Sequence, residues 1–159
     1  AVPSDRPIQL GEPVVIDMGA VYEGYCSDIT RSFCLGTAPD RYAEVWDTVL
    51  RAQLAAEEAM VPGMTGADAD AVARSIIYDA GYEGMFGHGL GHGVGLAVHE
   101  APKASRTSTD VLSRDMVVTV EPGIYIPGWG GVRIEDMVVL TDDACRVLTQ
   151  ARKVPVIPM

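Results

Sequence analysis

The chain has 159 residues, 48% apolar and 21% charged, which is the balance of one ordinary globular domain and excludes a disordered segment. Its 22 acidic and 12 basic residues leave a net charge of −10 with no Lys/Arg cluster, so no nucleic-acid partner is expected. No apolar run approaches the ~20 residues that span a bilayer, so no membrane partner is expected either.

Cys26, Cys34 and Cys145 are an odd, scattered set without CxxC spacing, which fits reduced thiols and a cytoplasmic protein. The opening Ala1-Val-Pro-Ser-Asp-Arg6 has neither an initiator Met nor a charged-then-apolar leader, and reads as the interior of a longer protein.

In chain order, Val14–Met18 is apolar and β-branched, Tyr22-Glu23-Gly24 reads as a turn, and Tyr25–Leu35 as a second strand. A two-residue turn at Glu23-Gly24 places Asp28 opposite Gly19, with Asp17 its diagonal neighbour on the same face. The spacing then predicts a helix from Pro39 to Met60, with Val45, Trp46, Val49, Leu50 and Leu54 on its apolar face and Pro62-Gly63 as its stop. A second helix opens at Thr65 or Gly66 and buries Val72, Ala73, Ile76, Ile77 and Ala80. Asp68 and Asp70 suit its N-terminal dipole, and Gly81 its C-terminal end.

Gly84–Gly95 holds six glycines and two histidines, the composition of a loop or distorted strand that something approaches closely. Met116–Val120 is a strand, Pro127–Gly131 a loop centred on Trp129, and Val132–Leu140 a returning strand. That centring places Glu135 opposite Gly123 and diagonal to Glu121, again with both carboxylates on one face.

Asp17, Asp28, Glu121 and Glu135 thus form two same-face acid pairs, and His92 lies between them in the chain. At about 4 Å and an effective dielectric of about 20, each ionised pair repels by roughly 4 kcal/mol, so bringing them together needs protons or cations. Taken alone, Asp17 reads as a strand-end turn residue, Asp28 as an arginine partner and His92 as a satisfied loop histidine. Shared parity and the apolar strands around Glu121 and Glu135 weigh against those readings, because a buried unpaired carboxylate is costly. The glycines at 87, 89, 91, 93 and 95 are read as leaving room around the rings for ions and a substrate backbone. A phosphate cradle is a poor alternative, since no strand–GxGxxG–helix pattern or P-loop lysine is present. Four carboxylates and an imidazole favour two divalent ions, Mn²⁺ or Co²⁺ first, with Fe²⁺ or Zn²⁺ as alternatives. Such a pair activates water and polarises a carbonyl, the chemistry of a hydrolase.

Four stretches carry a specific likeness: Val15-Ile-Asp17-Met-Gly-Ala20 with Ser27-Asp28-Ile-Thr-Arg31; His88-Gly-Leu-Gly-His92 through His99-Glu100-Ala-Pro102; Thr119-Val-Glu121-Pro-Gly-Ile-Tyr125; and Val132-Arg133-Ile-Glu135-Asp136-Met137. Together they resemble the catalytic domain of the pita-bread metallopeptidases, within them the Xaa-Pro dipeptidase (prolidase) and aminopeptidase P branch. The resemblance implies an α+β fold with a curved, mainly antiparallel sheet backed by helices. It makes residues 1–159 a single catalytic metallopeptidase domain, truncated at its N-terminal side and leaving part of the sheet uncovered.

By the same resemblance, Asp17 holds one ion, His92 and Glu121 the other, and Asp28 and Glu135 bridge them. Glu121 also moves a proton, His99 lies near the scissile peptide, and His88 and Arg133 line the substrate pocket. The implied substrates are short proline-containing peptides, and the implied parent is a homodimer or higher homo-oligomer. A methionine aminopeptidase is the alternative within the fold, but the fourteen-residue spacing from Glu121 to Glu135 and the Arg-Ile-Glu-Asp run fit it less well. A non-catalytic pita-bread binding module is the alternative outside enzymes, and it typically loses ligands that this chain keeps.

Overall fold

In the computed structural model, which describes residues 5–159, β1 (Val14–Met18) leads through a small hairpin, β2 (Val21–Tyr22) and β3 (Tyr25–Cys26), to β4 (Ile29–Leu35). Residues 1–4 of the opening segment discussed above lie outside the described part. One register runs through all four strands: Val21 pairs with Cys26, Tyr22 with Tyr25 and Asp17 with Thr30, which is the alignment anticipated from the turn. The turn works because Glu23 and Gly24 both take positive φ, 49° and 87°, the geometry that matches the twist of a two-residue hairpin. β1 is exposed on both faces: Ile16 and Met18 on one side and Val15 on the side of Asp17 all reach solvent.

Helix α1 (Asp40–Ala59) buries Tyr42, Val45, Trp46, Val49, Ala52 and Ala56. Leu54, expected on this face, is instead exposed; the stripe passes through the two alanines, whose size lets the helix lie close to its neighbours. Each large apolar side chain buried here contributes roughly 1.5–3 kcal/mol. Two polar contacts register the helix against the sheets: Trp46 Nε1 donates to Ser32 O on β4 at 2.9 Å, and Gln53 Nε2 to Val120 O at 3.1 Å.

Helix α2 (Gly66–Asp79) starts with a capping box, the Thr65 hydroxyl accepting from Asp68 N at 3.1 Å while the Asp68 carboxylate accepts from Thr65 N. Gly81, at φ 88°, ends it. Asp70 is not a dipole partner facing solvent. It is buried and forks with Arg74 one turn later, at 2.6 and 2.9 Å.

The remaining strands are β5 (Gly91–Gly93), β6 (Glu100–Ala104), β7 (Val117–Val120), β8 (Gly123–Ile126), β9 (Gly130–Arg133), β10 (Asp136–Leu140), β11 (Cys145–Val147) and β12 (Val156–Ile157). They form a five-stranded antiparallel sheet in the order β11-β10-β7-β5-β6 and a β8–β9 hairpin, while β12 adds in parallel to β4. The glycine-rich segment therefore ends as an interior strand. A Cβ at Gly91 would collide with Thr119 O and one at Gly93 with Ala101 O, so these glycines admit neighbouring backbone rather than leaving room for ions.

The second acid-bearing hairpin differs from expectation by a small, informative amount. Gly123 pairs with Arg133 and Ile126 with Gly130, centring the loop on Gly128 rather than Trp129. Val120 pairs with Asp136, so Glu121 and Glu135 fall directly opposite one another instead of diagonally. The partner moves by two residues, and a slip of two leaves every side chain on its expected face.

Candidate metal centre

The two sheets meet at a seam where Glu135 N donates to Thr30 O at 3.1 Å and the Ser32 hydroxyl bonds both Arg133 N and Arg133 O. All five proposed ligands converge there. Asp17, Asp28 and Glu135 offer oxygens within 4.8 Å of one another, and a ring nitrogen of His92 lies equally close to oxygens of Glu121 and Glu135. Glu135 belongs to both groups, the arrangement of two adjacent cation positions sharing a carboxylate. Asp28 lies 3.8 Å from His92 Nε2 and closes the gap from the other side.

His92 is presented by β5 with Nδ1 3.1 Å from Gly93 O, so that nitrogen carries the proton and Nε2 faces the acids, 3.2 Å from Glu121 Oε1. Burial works against its charge, but the Glu121 and Gly93 contacts and nearby Asp28 hold its pKa above the ordinary value. Glu121 is pushed up by burial yet ends below its usual range, chiefly through His92. Asp28 is raised by burial and then by Asp17. Glu135, only 2% exposed, is raised from 4.5 to about 8 by burial first and by Glu121 next. Four carboxyls gathered this closely, one of them buried, are a donor set that suits divalent cations.

Two hydroxyls orient the glutamates. Thr30 Oγ1 donates to Glu135 Oε2 at 2.5 Å, and Thr119 Oγ1 donates to Glu121 Oε1 at 3.0 Å while accepting from His92 N at 3.0 Å. Arg133 spans the front of the site: Nη2 bonds Asp17, Nε donates to Thr30 Oγ1 at 3.1 Å, and Nη1 donates to Tyr125 OH at 2.9 Å. Tyr125 OH in turn lies 2.9 Å from His88 Nε2, and His88 Nδ1 lies 2.7 Å from Gly89 O. Since Nδ1 donates, Nε2 accepts from the tyrosine, and His88 keeps no free N–H. Burial also lowers its pKa, so the ring is neutral.

His99 is exposed on the loop before β6, its ring 4.1 Å from that of His92. Cys26 N holds that loop at Gly95 O, 2.8 Å away. His88, His92, His99, Glu121 and Arg133 line one cavity of about 290 Å³, room for a short peptide. Asp17 departs from expectation in one respect: its apolar strand predicts burial, yet its side chain is 53% exposed even with Arg133 of β9 bonded to it.

Thr30, Thr119 and Tyr125 were not singled out in the sequence. Their signal is the same period of two that pairs the acids: Thr30 follows Asp28 by two, and Thr119 precedes Glu121 by two. Asp70 and Arg74 carry a local signal of their own, an acid and a base four residues apart on a helix, but nothing in that spacing says what they clamp. Arg74 donates to Phe86 O and His88 O, each at 2.7 Å, and Asp70 Oδ1 accepts from Leu90 N at 3.0 Å, so α2 clamps the segment that carries His88.

An oxygen-rich cage with one imidazole, a shared carboxylate and an adjoining peptide-sized cavity fits two divalent cations and defines the class as a candidate metal-binding fold. The model of metallopeptidase family M24 matches residues 1–142, and the chain belongs to that family. The Xaa-Pro dipeptidase of Pyrococcus furiosus is 49% identical over 152 residues, 96% of this chain and 44% of that protein. The solved Xaa-Pro dipeptidase from Bacillus anthracis superposes with a TM-score of 0.94 at 46% identity, over 97% of this chain and 44% of the other. The X-Pro aminopeptidase from Thermotoga maritima superposes at 0.91 with 46% identity over the same shares. The fold is thus the pita-bread architecture expected above, and the chain spans under half the length of these relatives.

Proposed function

We propose that the protein is a metal-dependent exopeptidase that hydrolyses the bond between an N-terminal residue and proline, as an Xaa-Pro dipeptidase or an aminopeptidase P. The observation that carries this reading is the shared Glu135: two ligand triads, Asp17/Asp28/Glu135 and His92/Glu121/Glu135, meet at one buried carboxylate beside a peptide-sized cavity. In this reading Asp28 bridges with Glu135. The oxygen-rich donor set supports Mn²⁺ or Co²⁺ ahead of Fe²⁺ or Zn²⁺. The bound ions supply Lewis acidity that activates water and polarises the scissile carbonyl.

The chain's own residues do the rest. Glu121 Oε1 accepts from Thr119 and faces His92 Nε2, where the two would share an ion, which leaves Oε2, 3.9 Å from Arg133 Nε, to take the proton of the attacking water. As the new C–O bond forms and the C–N bond breaks, that proton passes to the imide nitrogen. His99, on the cavity wall beside His92, donates toward the developing oxyanion or the leaving nitrogen. His88 shapes the pocket in a fixed neutral tautomer, and Arg133 aligns Asp17 and, through Thr30, Glu135.

Three cysteines without disulfide partners support a reducing cytoplasmic setting, and no helix of the described residues is long and apolar enough to cross a membrane. Exposed Ile16 and Met18 on one face of β1, with Tyr22 exposed in the hairpin beyond it, support a parent that buries this region, within its own chain or as a homodimer or larger homo-oligomer.

The test uses the whole protein loaded with Mn²⁺ or Co²⁺ and offered an Xaa-Pro dipeptide, an Xaa-Pro-Xaa tripeptide and a Met-initiated peptide. Turnover of the first or second is expected. Two bound ions per chain with no turnover of any would favour a peptide-binding module, and turnover confined to the third would assign a methionine aminopeptidase.

A further inference from the structure

Behind the seam, on the face turned away from the cations, lies a second constellation that the proposed chemistry does not use. Residues alternate sides along both strands. Thr30 faces forward to Glu135, and Arg31 faces back; Glu135 faces forward, and Asp136 faces back. The back pair is joined as firmly as the front one. Arg31 Nη2 lies 2.7 Å from Asp136 Oδ1, and Arg31 Nη1 donates to the carbonyl oxygen of Glu135 itself at 2.6 Å. The same guanidinium reaches Ala151 O at 2.7 Å in the C-terminal segment. Two residues on, Lys153 Nζ lies 2.6 Å from Asp136 Oδ2 and 3.5 Å from Glu57 Oε1 on α1.

Asp136 is fully buried and its side chain meets a cation at each oxygen. A buried charge is tolerated only when so paired, and the pairing fixes the backbone that bears it. Glu135 is the next residue in the chain. A bridging carboxylate must sit within about 0.2 Å of its working position, and its side chain can be no better placed than its peptide. Arg31 is the group that grips that peptide directly.

We propose that Arg31 is a positioning residue for the bridging ligand Glu135, and that it does this work by fastening the Glu135–Asp136 peptide to the C-terminal segment at Ala151 and Lys153. This rests on the dinuclear reading above. The role demands arginine: its planar fork spans Glu135 O, Asp136 and Ala151 O together, whereas a lysine ammonium is a single point that keeps the charge and loses the span.

The experiment titrates the metal-free whole protein with Co²⁺, following the visible absorption of the bound ion and the rise in Tm that binding produces. Wild type should take up two ions. Arg31→Lys should bind the second about ten- to a hundredfold more weakly, as removal of an outer partner of a ligand does, and show a smaller metal-induced rise in Tm. A purely structural arginine would lower Tm equally with and without metal and leave the affinity unchanged, which would overturn the proposal. If Arg31→Lys does not fold, Lys153→Met, at the more exposed end of the network, gives the same readout with a smaller loss. Wild-type protein that takes up no Co²⁺ would overturn this inference and the proposed function together; two ions bound as tightly by Arg31→Lys as by wild type would overturn this inference alone.

Discussion

The acids and the histidines of this site are held by different means. Asp17, Asp28, Glu121 and Glu135 stand on or beside paired strands, where a register decides which way each side chain faces. His88 and His99 lie in segments outside the regular ladders, and His92 stands on a three-residue strand whose pairing shifts at Gly93. Their support comes from elsewhere in the fold: Arg74 on α2 grips Phe86 O and His88 O, Tyr125 orients the His88 ring, and Thr119 takes His92 N. A ladder positions a ligand through a periodicity written in its own residues. A glycine-rich segment has to be positioned by its surroundings.

The comparison breaks most sharply at the acids. Asp28→Ala removes one of the two proposed bridges and should lower kcat/KM by roughly 10³-fold or more, with fewer than two ions retained per chain, because the metals' charge stabilisation amounts to several kcal/mol. Metal analysis beside the kinetics checks this; near-normal rates would mean that the ladder does not place Asp28 at the ions.

On the histidine side the expected loss is first of stability. Arg74→Met leaves Asp70 charged, buried and unpaired, which should destabilise the protein by about 3–5 kcal/mol in urea unfolding. Adding Asp70→Leu should recover part of that loss without restoring activity, because the grip on His88 stays broken. Full activity in the double variant would show that the glycine segment holds itself.

A smaller effect, on the order of a few kcal/mol, separates the acids' fold from their metal. In metal-free protein Glu135 keeps its proton up to about pH 8, while the unfolded chain loses it near 4.5. Between those values the native state binds the extra proton, so stability falls as pH rises; below 4.5 both states hold it and the penalty disappears. The raised values of Asp28 and His92 act in the same direction and the lowered one of Glu121 in the opposite. Tm of metal-stripped protein should therefore drop from pH 5 to pH 8, and Mn²⁺ should restore it at pH 8. A flat profile without metal would remove the electrostatic case for a cation site.

What the sequence determined by itself is the part that obeys a local period. The Glu23-Gly24 turn and the alternation along β1 and β4 set Asp17 and Asp28 on one face. The second hairpin survived a misplaced loop centre because a two-residue slip preserves that face. The start of α2 at Thr65 or Gly66 was legible too, and the capping box that the structure shows there is equally local, its donor and acceptor three residues apart. Only the tertiary structure decided what meets across the seam. Thr30 reaches Glu135 and Arg31 reaches Asp136 over 105 residues of chain, and the Asp70–Arg74 pair turns inward because the glycine segment offers it bare carbonyls. It also decided that Gly91 and Gly93 serve neighbouring strands rather than ions, and that Leu54 faces outward. Such contacts depend on which surfaces pack together, and no spacing within a single strand or helix records that choice.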